Sequence, residues 1–392
     1  MASRHAADQS FLHFAPTRVV FGLGAHKEAP LELRTLGKSR AMLVTDAMLA
    51  AKTDLVERVK KALGATCVAV FAEVQPDSPT SIVDRGAQLA REHGIDAIVS
   101  LGGGSAIDTA KGIAIAHTEG GSVLDHQGFQ NLTRPTTVHL AIPTTAGTGS
   151  EVTRAAVLFD EKARQKLIYG DFHLFPRVAV LDPELTVGMP ASITAGTGLD
   201  ALTHAIEAMH SAQREPIADA LALQAIRYVR RYLPTAVRAP NDLEARGKML
   251  LAATMAGQAF DNAQVGVVHA IAHSVGAKRH VHHGTANAIA LPHCIRFNAD
   301  DPAAAEAYRD AAEAFEVAVD GLGPERAAHA LADAVEAFVA EVGLPTRLRQ
   351  VGVVEDDLRA IAEMSVTDAS IVYNPKFAMD ADLVLGIVQS AY

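Results

Sequence analysis

Two cysteines, Cys67 and Cys294, stand too far apart for a disulfide framework or for a thiolate metal site of the CxxC kind. So few thiols, with no cross-link implied, fit a reducing compartment, and a cytoplasmic setting is expected. No run of Lys and Arg is dense enough to make a nucleic-acid stripe, and the net charge is −10, so no nucleic-acid partner is expected. No window of about 18 residues stays apolar and uncharged, which argues against a membrane span. The opening residues, MASRHAADQSFLHF, lack the uncharged apolar core of a secretory signal. What remains is nearly half apolar and one-fifth charged, an enzyme-like composition, over 392 residues. That length predicts two domains.

Short runs of Val, Ile and Leu with little alternation predict strands over 18–21, 41–45, 67–71, 97–101, 138–142 and 178–181. Such runs suit strands covered on both faces. Helical patterns at 82–93 and 106–117 lie between them, so the first half reads as parallel βαβ units. From about Pro190 strand signals almost vanish. Helices are predicted over 199–211, 216–233, 243–262, 265–275, 286–297, 302–317, 326–342 and 354–364. The expected division is an α/β domain over 1–188 and a helical domain over 189–392.

Two glycine-rich turns follow predicted strands. "GGGSAIDTAKG" runs from Gly102 to Gly112 and "PTTAGTGSE" from Pro143 to Glu151. Glycines let backbone approach an anion closely, and the free N–H groups of a following helix face it. One such turn can be an ordinary βα connection; two in one α/β half favour a nucleotide pyrophosphate. Asp46 ends the strand "LVTD", where a carboxylate can accept from ribose hydroxyls and repel a 2′-phosphate, favouring NAD over NADP. The same residue can also cap the next helix.

In "GLDALTHAIEA" Asp200 and His204 share a helix face at i and i+4, and "VHAIAH" does the same for His269 and His273. Five histidines fall within residues 269–284. The helices are very apolar, where unpaired polar groups are costly, so a divalent first-row metal is expected. Spacing alone leaves open whether His269 and His273 both bind metal or one relays protons, and the same holds for His280, His282 and His283.

Together, "GGGSAIDTAK", "PTTAGTGSEVT", "GLDALTHAIEA" and "HAIAHSVG…HHG" resemble the signatures of the iron-containing (group III) alcohol dehydrogenase family, in order and at suitable separations. The likeness runs from about Phe14 to the end, through "LDPELTVGMP" and "NPK". It implies an N-terminal Rossmann-like dinucleotide-binding domain plus an all-α C-terminal domain, the dehydroquinate synthase-like architecture, with the active site in the cleft between. It implies Asp200, His204, His269 and His283 as metal ligands and His273 as a residue at the nicotinamide end and proton relay. Asp46, Ser78, Gly103, Gly104, Ser105, Thr144, Thr145, Thr148, Lys166 and Leu185 fall at positions that contact cofactor in the family. Ser78 and Met209 depart from the common Asn and Tyr. The complete ligand set disfavours the maleylacetate reductase branch.

The expected activity is reversible hydride transfer between NAD(H) and a small alcohol or aldehyde, with iron(II) the expected metal and zinc or another ion as an alternative. A homodimer or larger homo-oligomer is implied by analogy. Lys278 and Arg279, with His280 or His282, are expected at the rim, and they raise a second reading in which the substrate is an anionic aldehyde; Arg154 is a weaker candidate for that task. A dehydroquinate synthase-like lyase and a transhydrogenase with tightly held NAD are further alternatives.

Overall fold

The computed structural model describes residues 10–392, so the first nine residues of the expected α/β domain lie outside the described residues. The chain divides into two compact units, Ala15–Val187 and Gly188–Tyr392, and residues 10–14 go with the second. The sequence reading put those five residues in the α/β half. Their attachment is local: Phe14 N–H donates to Asn262 Oδ1 at 2.7 Å, and His13 Nδ1 pairs with Glu215 at 2.7 Å.

The first unit holds nine strands: β1 (Arg18–Phe21), β2 (Ala41–Asp46), β3 (Cys67–Val74), β4 (Ala97–Gly102), β5 (Gly128–Phe129), β6 (Val138–Pro143), β7 (Ala155–Asp160), β8 (Gln165–Gly170) and β9 (Val178–Leu181). Its helices are α1 (Ala29–Thr35), α2 (Ala47–Lys52), α3 (Leu55–Leu63), α4 (Thr80–Glu92) and α5 (Gly104–Glu119). All six strands expected from the sequence form one parallel sheet in the order β1-β9-β6-β4-β2-β3. Both faces are covered. Met42 and Val44 of β2 point into one core with Phe71, Val83 and Ile113, while Ala41 and Leu43 point into another with Val59, Leu140 and Val180. That double burial explains the unalternating apolar runs. A second, three-stranded sheet, β5-β8-β7, was not expected.

The helical unit comprises α6 (Ala191–His210), α7 (Pro216–Arg238), α8 (Leu243–Ala263), α9 (Val267–Arg279), α10 (His283–Asn298), α11 (Pro302–Ala314), α12 (Pro324–Glu341), α13 (Leu358–Ser365) and α14 (Ala381–Ala391). α6 is buried on every side from Thr194 to His210, which makes it the axis of this unit. It begins eight residues before the predicted start, because "ASITAGTG" is poor in helix formers yet rich in small side chains that let neighbours close in.

The tightest approach joins α6 to α10. A Cβ on Gly284 would lie 2.1 Å from the Gly196 carbonyl oxygen and 3.3 Å from the Asp200 Cβ. A backbone oxygen cannot swing aside as a side chain can. We expect Gly284→Ala to force α6 and α10 apart, costing about 3 kcal/mol of stability and reducing metal retention, since His283 is the preceding residue. Thermal unfolding and metal analysis of the purified variant check both; a variant as stable and as metal-rich as the parent would refute the contact.

Candidate functional site

The carboxyl ends of β2, β4 and β6, neighbours in the sheet, carry Asp46, the Gly102 turn and the Pro143 turn along one edge. Ligands of open parallel sheets bind at such an edge. The two turns touch: Thr144 N–H donates to Gly102 O at 3.0 Å. A Cβ on Gly103 would meet Thr145 at 3.2 Å, and one on Gly104 would meet Thr148 at 2.8 Å. Ser105 opens α5 beside them. Asp46 accepts from Leu49 N–H at 2.8 Å as the cap of α2. Ser78, buried with φ +53°, donates its hydroxyl to Ser105 O at 2.9 Å and so braces the glycine turn. Lys166 Nζ pairs with Asp77, next to Ser78, at 3.1 Å. Leu185 is buried in the core beside Val180 and Leu33. Arg154 lays its guanidinium over the Phe172 ring, 5.1 Å from the centroid.

In the helical unit Asp200 and His204 project from α6 and His269 from α9. His283 opens α10 rather than lying in the loop where the sequence reading placed it. One ligand atom each from Asp200, His269 and His283 falls within a mutual 4.8 Å. Measured to Asp200 Oδ1, the Nε2 atoms stand at 3.5 Å for His283, 3.9 Å for His204 and 4.0 Å for His269. The rings pack on one another: His204 stacks between Phe260 and His269, and His273 stacks on His283 at 5.2 Å. His204, although it faces the same oxygen, stands outside the 4.8 Å set.

Three side chains missed by the sequence reading complete the arrangement. Glu207, wholly buried, accepts from Val268 N–H at 2.8 Å and from His269 Nδ1. Asp368 accepts from His273 Nδ1 at 2.8 Å. The Asn287 amide donates to Asp200 Oδ1 at 2.8 Å and lies 3.2 Å from His283 Nε2 and 3.4 Å from His269 Nε2. Glu207 carried a signal, since it lies seven residues after Asp200 and therefore on the same helix face. Asn287 is likewise one turn after His283. Asp368 had none, being far from His273 in sequence.

The chemistry of the donor set fits a cation. Burial by itself would raise the Asp200 carboxyl, but three imidazoles, His204 foremost, and the Asn287 amide bring it down to about 2. Burial would likewise lower His269, yet Glu207 and Asp200 outweigh it and raise its proton affinity. A metal ion competes with that proton for Nε2 and answers the same negative potential. Ligand atoms around a tetrahedral ion lie roughly 3.3–3.6 Å apart for bonds of 2.0–2.2 Å. The distances to Asp200 Oδ1 are at most a few tenths wider, whereas His204 lies beyond 4.8 Å of at least one of the other donors.

The basic pair behaves otherwise than expected. Lys278 and Arg279 sit in the last turn of α9, not in a loop, and both face Asp357: Arg279 Nε at 2.5 Å and Lys278 Nζ at 3.9 Å. Their charge already has an internal partner. His280 is the exposed left-handed cap of α9, and His282 is exposed ahead of α10 with its ring over Gly196.

A parallel sheet with paired glycine turns in one unit, and a buried carboxylate ringed by imidazoles in the other, define a class of nucleotide-using, metal-centred enzymes. Comparison with known proteins narrows that class. Residues 16–183 match the model "Iron-containing alcohol dehydrogenase", and residues 194–392 match "Fe-containing alcohol dehydrogenase family, C-terminal". The chain is 39% identical over 372 residues to the NAD-dependent methanol dehydrogenase of Bacillus methanolicus, covering 94% of this chain and 97% of that one. It is 40% identical over 369 residues to the 1,3-propanediol dehydrogenase of Citrobacter freundii, covering 93% and 95%. A crystal structure of a 1,3-propanediol oxidoreductase superposes with a TM-score of 0.94 at 37% identity, covering 98% of this chain and 100% of that one. The chain belongs to the iron-containing alcohol dehydrogenase family. These relatives are oxidoreductases named for the uncharged alcohols methanol and 1,3-propanediol, so the lyase, transhydrogenase and anionic-aldehyde alternatives are not favoured.

Proposed function

We propose that this chain is a metal-dependent, NAD(H)-linked alcohol dehydrogenase, acting reversibly between a small neutral alcohol and its aldehyde. The observation that carries the reading is the set of imidazole nitrogens turned on one buried carboxylate oxygen, in a chain of this family. Asp200, His204, His269 and His283 are the proposed ligands. Bound there, a divalent ion supplies Lewis acidity towards the substrate oxygen. Iron(II) is the proposed ion, on the strength of the family's description, with zinc an alternative the same donors accept.

NAD is the proposed cofactor, supported by the relative named for it, and it supplies the hydride acceptor. The glycine turns of the α/β unit, with Asp46, Ser78, Ser105, Thr144, Thr145 and Thr148, are the proposed pyrophosphate and ribose contacts. Ser78 holds the backbone of that turn and Asp46 disfavours a 2′-phosphate. Lys166 is retained as a cofactor contact. For Leu185 only its backbone is offered, because its side chain is in the core.

His273 is the proposed proton carrier. Its Nδ1 proton is held by Asp368, which leaves Nε2 to take the alcohol proton and pass it to solvent. Burial would raise Asp368, but the hydrogen bond and charge of His273 hold it well below the usual carboxylate range, so it stays an acceptor. The structure has no helix long and apolar enough to cross a membrane among the described residues. A cytoplasmic homo-oligomer is part of the proposal. Its two thiols are free, and the strand β1, paired among the described residues with β9 alone, exposes Val19 and Phe21 for a second copy to cover.

The test is a reduction screen with short neutral and anionic aldehydes, followed by NADH oxidation. Turnover is expected with neutral aldehydes, is expected to stop on chelation, and should return with iron(II) or zinc; NADPH should serve less well. Turnover indifferent to chelation would overturn the metal reading, and an anionic aldehyde preferred over a neutral one of equal length would restore the discarded alternative.

A further inference from the structure

We propose that Glu207 is the positioning residue of the metal centre: it locks His269 in the tautomer that presents Nε2 to the ion. The inference rests on the metal-dependent reading above.

Two donors converge on this one carboxylate. Val268 N–H, in the first turn of α9, reaches Oε1 at 2.8 Å, and His269 Nδ1 reaches Oε2. A backbone N–H can only donate, and an ionised carboxylate can only accept. His269 Nε2 faces Asp200 Oδ1 on the other side of the ring, 4.0 Å away, so Nδ1 is the nitrogen left to Glu207. The ring proton of His269 is therefore fixed on Nδ1. Nε2 is then the atom offered to a metal ion, and the Asn287 amide reaches both it and Asp200 Oδ1, at 3.4 and 2.8 Å.

Glutamine cannot take over, since its amide must set an NH₂ group against either Val268 N–H or His269 Nδ1–H.

The experiment is a competition titration of apoprotein with Zn²⁺ and with Co²⁺ against a chromophoric chelator, comparing wild type with Glu207→Gln. Affinity should fall about 10- to 100-fold for both ions, with the far-UV spectrum of the apo form unchanged. Unaltered affinity in a folded Glu207→Gln apoprotein would overturn the proposal while leaving the metal reading intact. Failure of wild-type apoprotein to bind either ion would overturn both. Should Glu207→Gln not fold, [¹⁵N]histidine spectra of apo wild type, with His269 identified by difference from His269→Gln, decide the matter. At a pH high enough to remove the second ring proton, a neutral His269 protonated at Nδ1 supports the proposal, and one protonated at Nε2 refutes it.

Discussion

Replacing His269 by alanine is expected to empty the metal centre and to lower kcat/KM about a thousandfold or more, since Lewis-acid stabilisation of several kcal/mol is lost with the ion. Three contacts disappear together. The Nε2 donor opposite Asp200 goes, leaving His204 and His283 to face the carboxylate. The ring that stacks on His204 at 4.6 Å goes, on the side away from Phe260. Glu207 Oε2 loses its donor, and a buried acceptor left unsatisfied costs about 1–3 kcal/mol. The variant should therefore also unfold at lower temperature than the parent, even when both are stripped of metal. Metal content of purified protein, kcat/KM for aldehyde reduction and apo-form thermal unfolding are the three readings. A full complement of tightly held metal in His269→Ala would remove His269 from the ligand set.

The chemistry of this chain is spread unevenly between what local spacing reveals and what only folding brings together. Most of the main sheet was legible because burial on both faces leaves unbroken Val, Ile and Leu runs, as in β9, while β1 shows the same run although it is largely exposed at the sheet edge. β7 and β8 were overlooked because they alternate: Ala156, Leu158, Leu167 and Tyr169 turn inward while Val157, Phe159, Lys166 and Ile168 face the other way and are less buried. A search for two-sided strands passes over a hairpin with one wet face. Helices α1 to α3 run six to nine residues, too short for a clear 3.6-residue period. Asp200, His204, His269 and His283 were legible since polar groups in so apolar a setting demand a reason. The loop assigned to His283 was wrong because "HHGTAN" holds glycine and threonine, weak helix formers that tertiary packing against α6 overrides. The charge of Lys278 and Arg279 was plain in sequence, but its partner Asp357 lies about eighty residues on, and no local pattern announces it.

Removing the imidazole of His273 should separate turnover from metal binding. His273 lies one turn beyond His269 on α9, its ring stacked on His283 at 5.2 Å, and its Nδ1 is anchored by Asp368 at 2.8 Å. Asp368 is itself fixed as the cap that accepts from Ser370 N–H at 2.8 Å, so the dyad is rigid from the loop inward. None of these contacts involves Asp200, the carboxylate on which the other three imidazoles converge. His273→Ala should accordingly retain metal with affinity close to the parent, because it deletes a neighbour of His283 and not a donor. Turnover should fall about 10²- to 10⁴-fold, the range for loss of a positioned proton carrier. Free imidazole, small enough to fill the vacated space, should restore part of the rate, whereas it should do nothing for His269→Ala, where the metal itself is gone. Asp368→Asn tests the anchor: a carboxamide can present its NH₂ group to Nδ1 and so favour the opposite tautomer, placing the proton on Nε2 where an acceptor is needed. That variant should keep both its metal and its ring, and lose kcat with little change in KM. If His273→Ala emerged without metal, His273 would be a ligand, and the relay role would pass from it altogether.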